Sequence, residues 1–87
     1  MWTVSKSEVA DLLRLDLMAR LREAEEKEAL YRRTHQQSFE AFEQTVQQGE
    51  EDFERWDDYV EWKAYRRVRQ NLEQKIEALR RGDFEIA

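Results

Sequence analysis

Cysteine and proline are absent from this chain, and glycine occurs only twice, as Gly49 and Gly82. Without cysteine there is no disulfide framework, no thiolate metal site and no thiol nucleophile. That absence fits a reducing compartment. Without proline, and with so little glycine, few positions interrupt a helix. No apolar run approaches the ~20 residues that cross a bilayer, and the opening "MWTVSKSEV" lacks the apolar core of a signal peptide. The expectation is a cytoplasmic protein with no membrane segment. A phosphate-cradling glycine loop and a Ser/His/Asp set are missing too. The single histidine, His35, falls in a predicted turn with no motif around it and reads as a solvated turn residue. The sequence therefore predicts no enzyme, no cofactor and no metal site. The carboxylates of residues 50–61 share one helix and cannot surround a cation.

What is present is charge and helix-forming residues. Of 87 residues, 40% are charged, which with abundant Glu, Arg, Ala, Leu and Gln favours long helices over strands. The length allows one domain with a modest core, the kind of scaffold often completed by association. A net charge of −5 disfavours nucleic acid and anionic membranes as general partners.

Helix signals divide the chain into three. Ser5 and Glu8 have capping-box spacing ahead of a first helix over about 7–33. Val9, Leu13, Leu17, Leu21, Ala24 and Tyr31 recur at helical spacing along it. Asp16/Arg20, Glu23/Lys27 and Glu28/Arg32 are favourable i,i+4 pairs for its surface. "THQQS" breaks that helix, and Ser38 caps a short second one over about 39–48, with Phe39, Phe42 and Val46 on one side and Gly49 at its end. A third helix runs over about 52–81 and stops at Gly82. The fold class is all-α: a single domain, 1–87, built as a long antiparallel, coiled-coil-like hairpin with a short connecting helix. Short apolar tails, 1–5 and 82–87, lie together at its open end.

On a helical wheel, Phe53, Trp56, Val60 and Ala64 form one apolar face of the third helix, and Tyr65, Val68, Leu72, Ile76 and Leu79 form another. The reading is that the first face packs on the second helix, which puts Phe53 and Trp56 in the core. Tyr59 and Trp62 fall off both faces, beside Arg66 and Arg69. Either the rings lie flat against those guanidinium groups, or the four residues form an exposed strip of the types enriched at binding hot spots. Residues 40–61 carry nine acids against one base, Arg55. Helix-dipole arguments explain acids in a first turn but not Asp57, Asp58 and Glu61. These three are either a solvated face or a surface that steers a basic partner. Lys63, Arg66, Arg67 and Arg69 make a basic patch at once afterwards, the one feature suggesting nucleic acid.

Leu12, Leu15 and Met18 lie outside the first helix's stripe, and a two-helix hairpin cannot cover them. The tails, with Trp2, Val4, Phe84 and Ile86, are candidates to fold over them. Otherwise this end, with Trp2, Phe84 and Ile86, is a surface for self-association or a partner. The chain is expected to be a homo-oligomer when alone.

The segments "LLRLDLMARLREAEEK" and "SFEAFEQTV…GEEDFERWDDYVEWKAY" resemble a group of short helical prokaryotic proteins encoded beside small toxin-like genes. The likeness covers roughly residues 8–80 and centres on Ser38-Phe39-Glu40, Phe42, Trp56-Asp57-Asp58-Tyr59 and Glu61-Trp62-Lys63. The resemblance implies the antitoxin half of a type II toxin–antitoxin module, a protein that masks a small toxin, often a ribonuclease. The chain departs from the commonest antitoxin plan in having no helix-turn-helix and no evident disordered arm, so operator binding is not implied. The partner surface expected from these readings is Tyr59, Trp62, Arg66 and Arg69 with Asp57, Asp58 and Glu61. A self-assembling structural coiled coil is the alternative.

Overall fold

A computed structural model describes residues 1–49 and 52–85. Three helices follow in order: α1 (Lys6–His35), α2 (Phe39–Gln48) and α3 (Phe53–Arg81). Their ends follow the local signals. Ser5 accepts the Glu8 backbone N–H, Ser38 that of Ala41, and Asp52 those of Glu54 and Arg55. Each cap satisfies a donor that a helix start leaves unpaired. α1 leaves the helix through Gln36 at φ 52°, while Gly82 at φ 78° ends α3. There the Asp83 N–H reaches the Ala78 carbonyl at 2.8 Å.

α1 and α3 are antiparallel. Glu28 bonds Arg69, Tyr31 bonds Glu61 and His35 bonds Asp58, so rising numbers on one helix meet falling numbers on the other. At the far end the Lys6 ammonium lies 4.7 Å from the centre of the Phe84 ring, which brings both tails together. The particle measures 62 × 18 × 18 Å.

The core differs from the two-faced arrangement expected for α3. One seam runs the length of the helix through Asp58, Trp62, Tyr65, Arg69, Leu72, Ile76 and Leu79, all buried or half-buried. Its steps alternate four and three, the spacing that keeps side chains facing one neighbour. The opposing seam on α1 is Leu17, Leu21, Ala24, Glu28, Tyr31 and His35. Glu28 is therefore a buried seam residue held by Arg69, not the surface partner of Arg32. Asp16 and Arg20 do pair, at 3.0 Å.

α2 caps one end of the hairpin. Phe42 is fully buried, 5.5 Å from Trp62 by ring centres, and Phe39 stacks on Tyr59 at 5.9 Å. His35 is not a solvated turn residue. It ends α1, stacks on Phe42 at 4.0 Å and meets Asp58 at 2.8 Å.

Candidate functional site

Of the residues expected to form the partner surface, two are buried and most of the others are engaged by neighbours within the fold. Trp62 is 1% exposed and Tyr59 5% exposed, so neither belongs to an open strip. Trp62 stacks on Tyr31 at 5.9 Å, and the Tyr59 hydroxyl donates to Glu43 at 2.6 Å. Arg66 lies over the Phe39 ring at 4.8 Å and donates to Glu40 at 2.8 Å. Glu40 is held below the usual carboxylate range, first by its own backbone N–H and then by Arg66. Arg69 donates to Glu28, and to Glu73 at 3.0 Å. Asp58 takes His35, and Glu61 accepts the Tyr31 hydroxyl. Burial, and then Glu61, push the Tyr31 hydroxyl well above its ordinary pKa. Of the seven, only Asp57 is both exposed and without a hydrogen-bond or ion-pair partner among the described residues. The basic patch shrinks likewise. Arg66 and Arg69 are engaged and Lys63 leans on Tyr59, which leaves Arg67.

The opposite face of α3 is the open one. Phe53 is 78% exposed, Trp56 51% and Val60 48%, with Ala64 exposed beyond them. These residues, expected in the core, point away from both neighbours. At 100° per residue they cluster around one direction, more than a right angle from the α2 contacts (Arg55, Tyr59, Trp62, Arg66) and nearly opposite the α1 seam. The Trp56 ring leans on Tyr59 at 5.5 Å, so its inner edge rests on core and its outer face is free. An open groove lined by Thr45, Val46, Gly49, Phe53 and Trp56, and by the charged Asp52, Glu54 and Arg55, leads from this surface toward the end of α2.

Glu54, Asp57 and Glu61 line one border of this stripe at helical spacing. None forms an ion pair among the described residues, since Glu61 takes only a phenol hydroxyl. The outer face thus joins an apolar ridge to an acidic edge on one side, with the exposed Arg67 one turn beyond Ala64, a combination suited to a partner that is apolar and, opposite Glu54, Asp57 and Glu61, basic.

A second apolar patch lies on α1, where Leu12, Leu15 and Met18 are all exposed. The amino-terminal tail does not cover them, because residues 1–5 are exposed and Trp2 stands in the open. Phe84 is half-buried against Lys6, and Ile86 lies outside the described residues.

Among the described residues no three His, Cys, Asp or Glu side chains gather as a metal-binding group, and no helix is long and apolar enough to cross a membrane. The chain matches no protein-family model, no curated protein and no solved structure.

Proposed function

We propose that this chain is a non-enzymatic protein-binding module that masks a small basic partner, acting as a cytoplasmic antitoxin of the kind the resemblance implies. The observation that carries the reading is the exposed Phe53–Trp56–Val60 ridge beside Glu54, Asp57 and Glu61. Large rings on a surface cost solubility, and contiguous ones mark interaction sites. Covering such side chains is worth roughly 1.5–3 kcal/mol each when burial is complete. Trp is also the residue type most enriched where binding energy concentrates. The acids add speed: exposed charges raise the rate of encounter with an oppositely charged partner.

The test is co-expression with the product of the adjacent reading frame, followed by size-exclusion chromatography. A co-eluting complex that is lost on Trp56→Ala with Val60→Ala supports the reading. Separate elution, or a complex indifferent to both substitutions, overturns it. Self-association, the alternative, draws on different residues at the other end of the hairpin.

A further inference from the structure

We propose that α1 pairs with a second copy of itself, antiparallel, across an outer seam centred on Leu15. The proposal is independent of the masking function and uses none of the α3 ridge. Leu12, Leu15 and Met18 project from the side of α1 that faces away from α3. α2 does not reach them, because its aromatic contacts lie at the Tyr31–Tyr59 end.

The occupant is identified by how residues are arranged about Leu15. Three residues before it is Leu12, and three after is Met18. Seven before is Glu8, and seven after is Arg22. All five lie within about 60° of the Leu15 direction, as do Asp11 and Ala19, four residues to either side, which the same twofold would set against each other. Both Glu8 and Arg22 are exposed and enter no ion pair among the described residues. A twofold axis at Leu15 sets Leu15 against its own copy, brings Leu12 and Met18 to the same height on facing helices, and sets Glu8 beside the copy's Arg22, twice. Parallel pairing would instead oppose Glu8 to Glu8 and Arg22 to Arg22. The charge pattern thus favours the antiparallel arrangement over the parallel one, and about a twofold axis that arrangement is self-complementary, as a closed dimer requires. Residues 8–22 span about 21 Å of helix, enough for a short two-helix contact. The resulting dimer leaves both Phe53–Trp56–Val60 ridges facing outward and makes the protein bivalent.

The geometry also allows a covalent test. Helix axes in contact lie about 8–10 Å apart, and each Cα sits about 2.3 Å from its axis. Facing Cα atoms on the axis are then roughly 3.5–5.5 Å apart, within or near disulfide reach. With no native cysteine, Leu15→Cys should cross-link to itself under mild oxidation, while Leu30→Cys, exposed at the other end, should not. Sedimentation of the full chain at about 100 μM should give twice the 10.7 kDa chain mass. Leu15→Glu should weaken association by ~100-fold or more, since two leucines are lost and two carboxylates meet at the axis. Its circular dichroism should be unchanged, because Leu15 is outside the core. Glu8→Arg and Arg22→Glu should each weaken the dimer, and the double variant should restore it. A monomer at that concentration, or a dimer indifferent to Leu15→Glu, overturns the proposal. Failure of the charge-swapped double variant to recover overturns the antiparallel pairing.

Discussion

Glu28 and Arg69 meet across the α1–α3 seam, and the two are not equally protected. The Glu28 side chain is 5% exposed and, among the described residues, has Arg69 as its one ionic partner, whereas Arg69 is more open and also holds Glu73. The hydrogen bond to Glu28 raises the Arg69 pKa further above its already high ordinary value, against the effect of burial. Removing one member of a buried pair costs about 3–5 kcal/mol when the other is left uncompensated. Arg69→Met, which strands Glu28, should approach that range. Glu28→Met leaves Arg69 bonded to Glu73 and should cost markedly less. Replacing both with Met should recover most of the loss. Urea unfolding of the three variants at one protein concentration checks the order.

Helix ends were legible in the sequence, and so was most of the second half of the α3 face: Tyr65, Leu72, Ile76 and Leu79 lie on the seam, although Val68 is exposed, while the first half was misplaced. Ser5, Ser38 and Gly82 mark boundaries through local chemistry, and α2 spans the residues its caps predict. The first half failed because an unbroken run of apolar residues does not by itself mark the buried side. Phe53, Trp56, Val60 and Ala64 are uniformly apolar, while the true seam contains Asp58 and Arg69. Those two become acceptable inside only through His35 and Glu28 on the other helix, which no reading of α3 alone supplies. The usable signal was the unbroken four-three spacing from Asp58 to Leu79, matched on α1 by Glu28 and His35 at seam positions. On α1, the exposure of Leu12, Leu15 and Met18 was legible, because the stripe was complete without them, but Leu13, assigned to that stripe, is exposed too.

Tyr31 gives the fold an alkaline limit. The residue is buried and its hydroxyl is bonded to Glu61, so the folded chain holds this proton more tightly than the unfolded chain, whose tyrosine ionises near pH 10. A group with a raised folded pKa contributes stability below the unfolded value and loses it as pH climbs beyond. Stability should therefore fall above about pH 10, and Tyr31→Phe should flatten that fall. At neutral pH the same substitution should cost on the order of 1–3 kcal/mol, the worth of a hydrogen bond to a charged acceptor. Unfolding midpoints of both proteins across that pH range provide the check.

Neighbouring acids on α3 should behave differently. Asp58→Asn and Glu61→Gln weaken bonds to His35 and Tyr31, and each should cost about 1 kcal/mol of stability. Asp57→Asn should leave stability unchanged or slightly raised, because it relieves the i,i+4 repulsion with Glu61. The same change should slow capture of a basic partner and reduce the salt dependence of the on-rate. Stopped-flow association at two ionic strengths, beside thermal unfolding, separates the two kinds of acid.

Loss of Trp62 should cost ~3–5 kcal/mol of folding stability through lost burial and a cavity among Tyr31, Phe39 and Phe42. Loss of Trp56 should cost under ~1 kcal/mol in folding, as expected of a surface substitution, and ~2 kcal/mol or more in partner binding.

Which ring faces outward is read most directly by iodide quenching of single-tryptophan proteins. One retains only Trp62 (Trp2→Phe, Trp56→Phe), the other only Trp56 (Trp2→Phe, Trp62→Phe). The Trp62 protein should emit at short wavelength and resist iodide. The Trp56 protein should emit at long wavelength, quench readily, and lose that quenching when the partner binds. A quenchable Trp62 beside a protected Trp56 in the free protein would reverse the faces of α3 and contradict the binding ridge proposed for it.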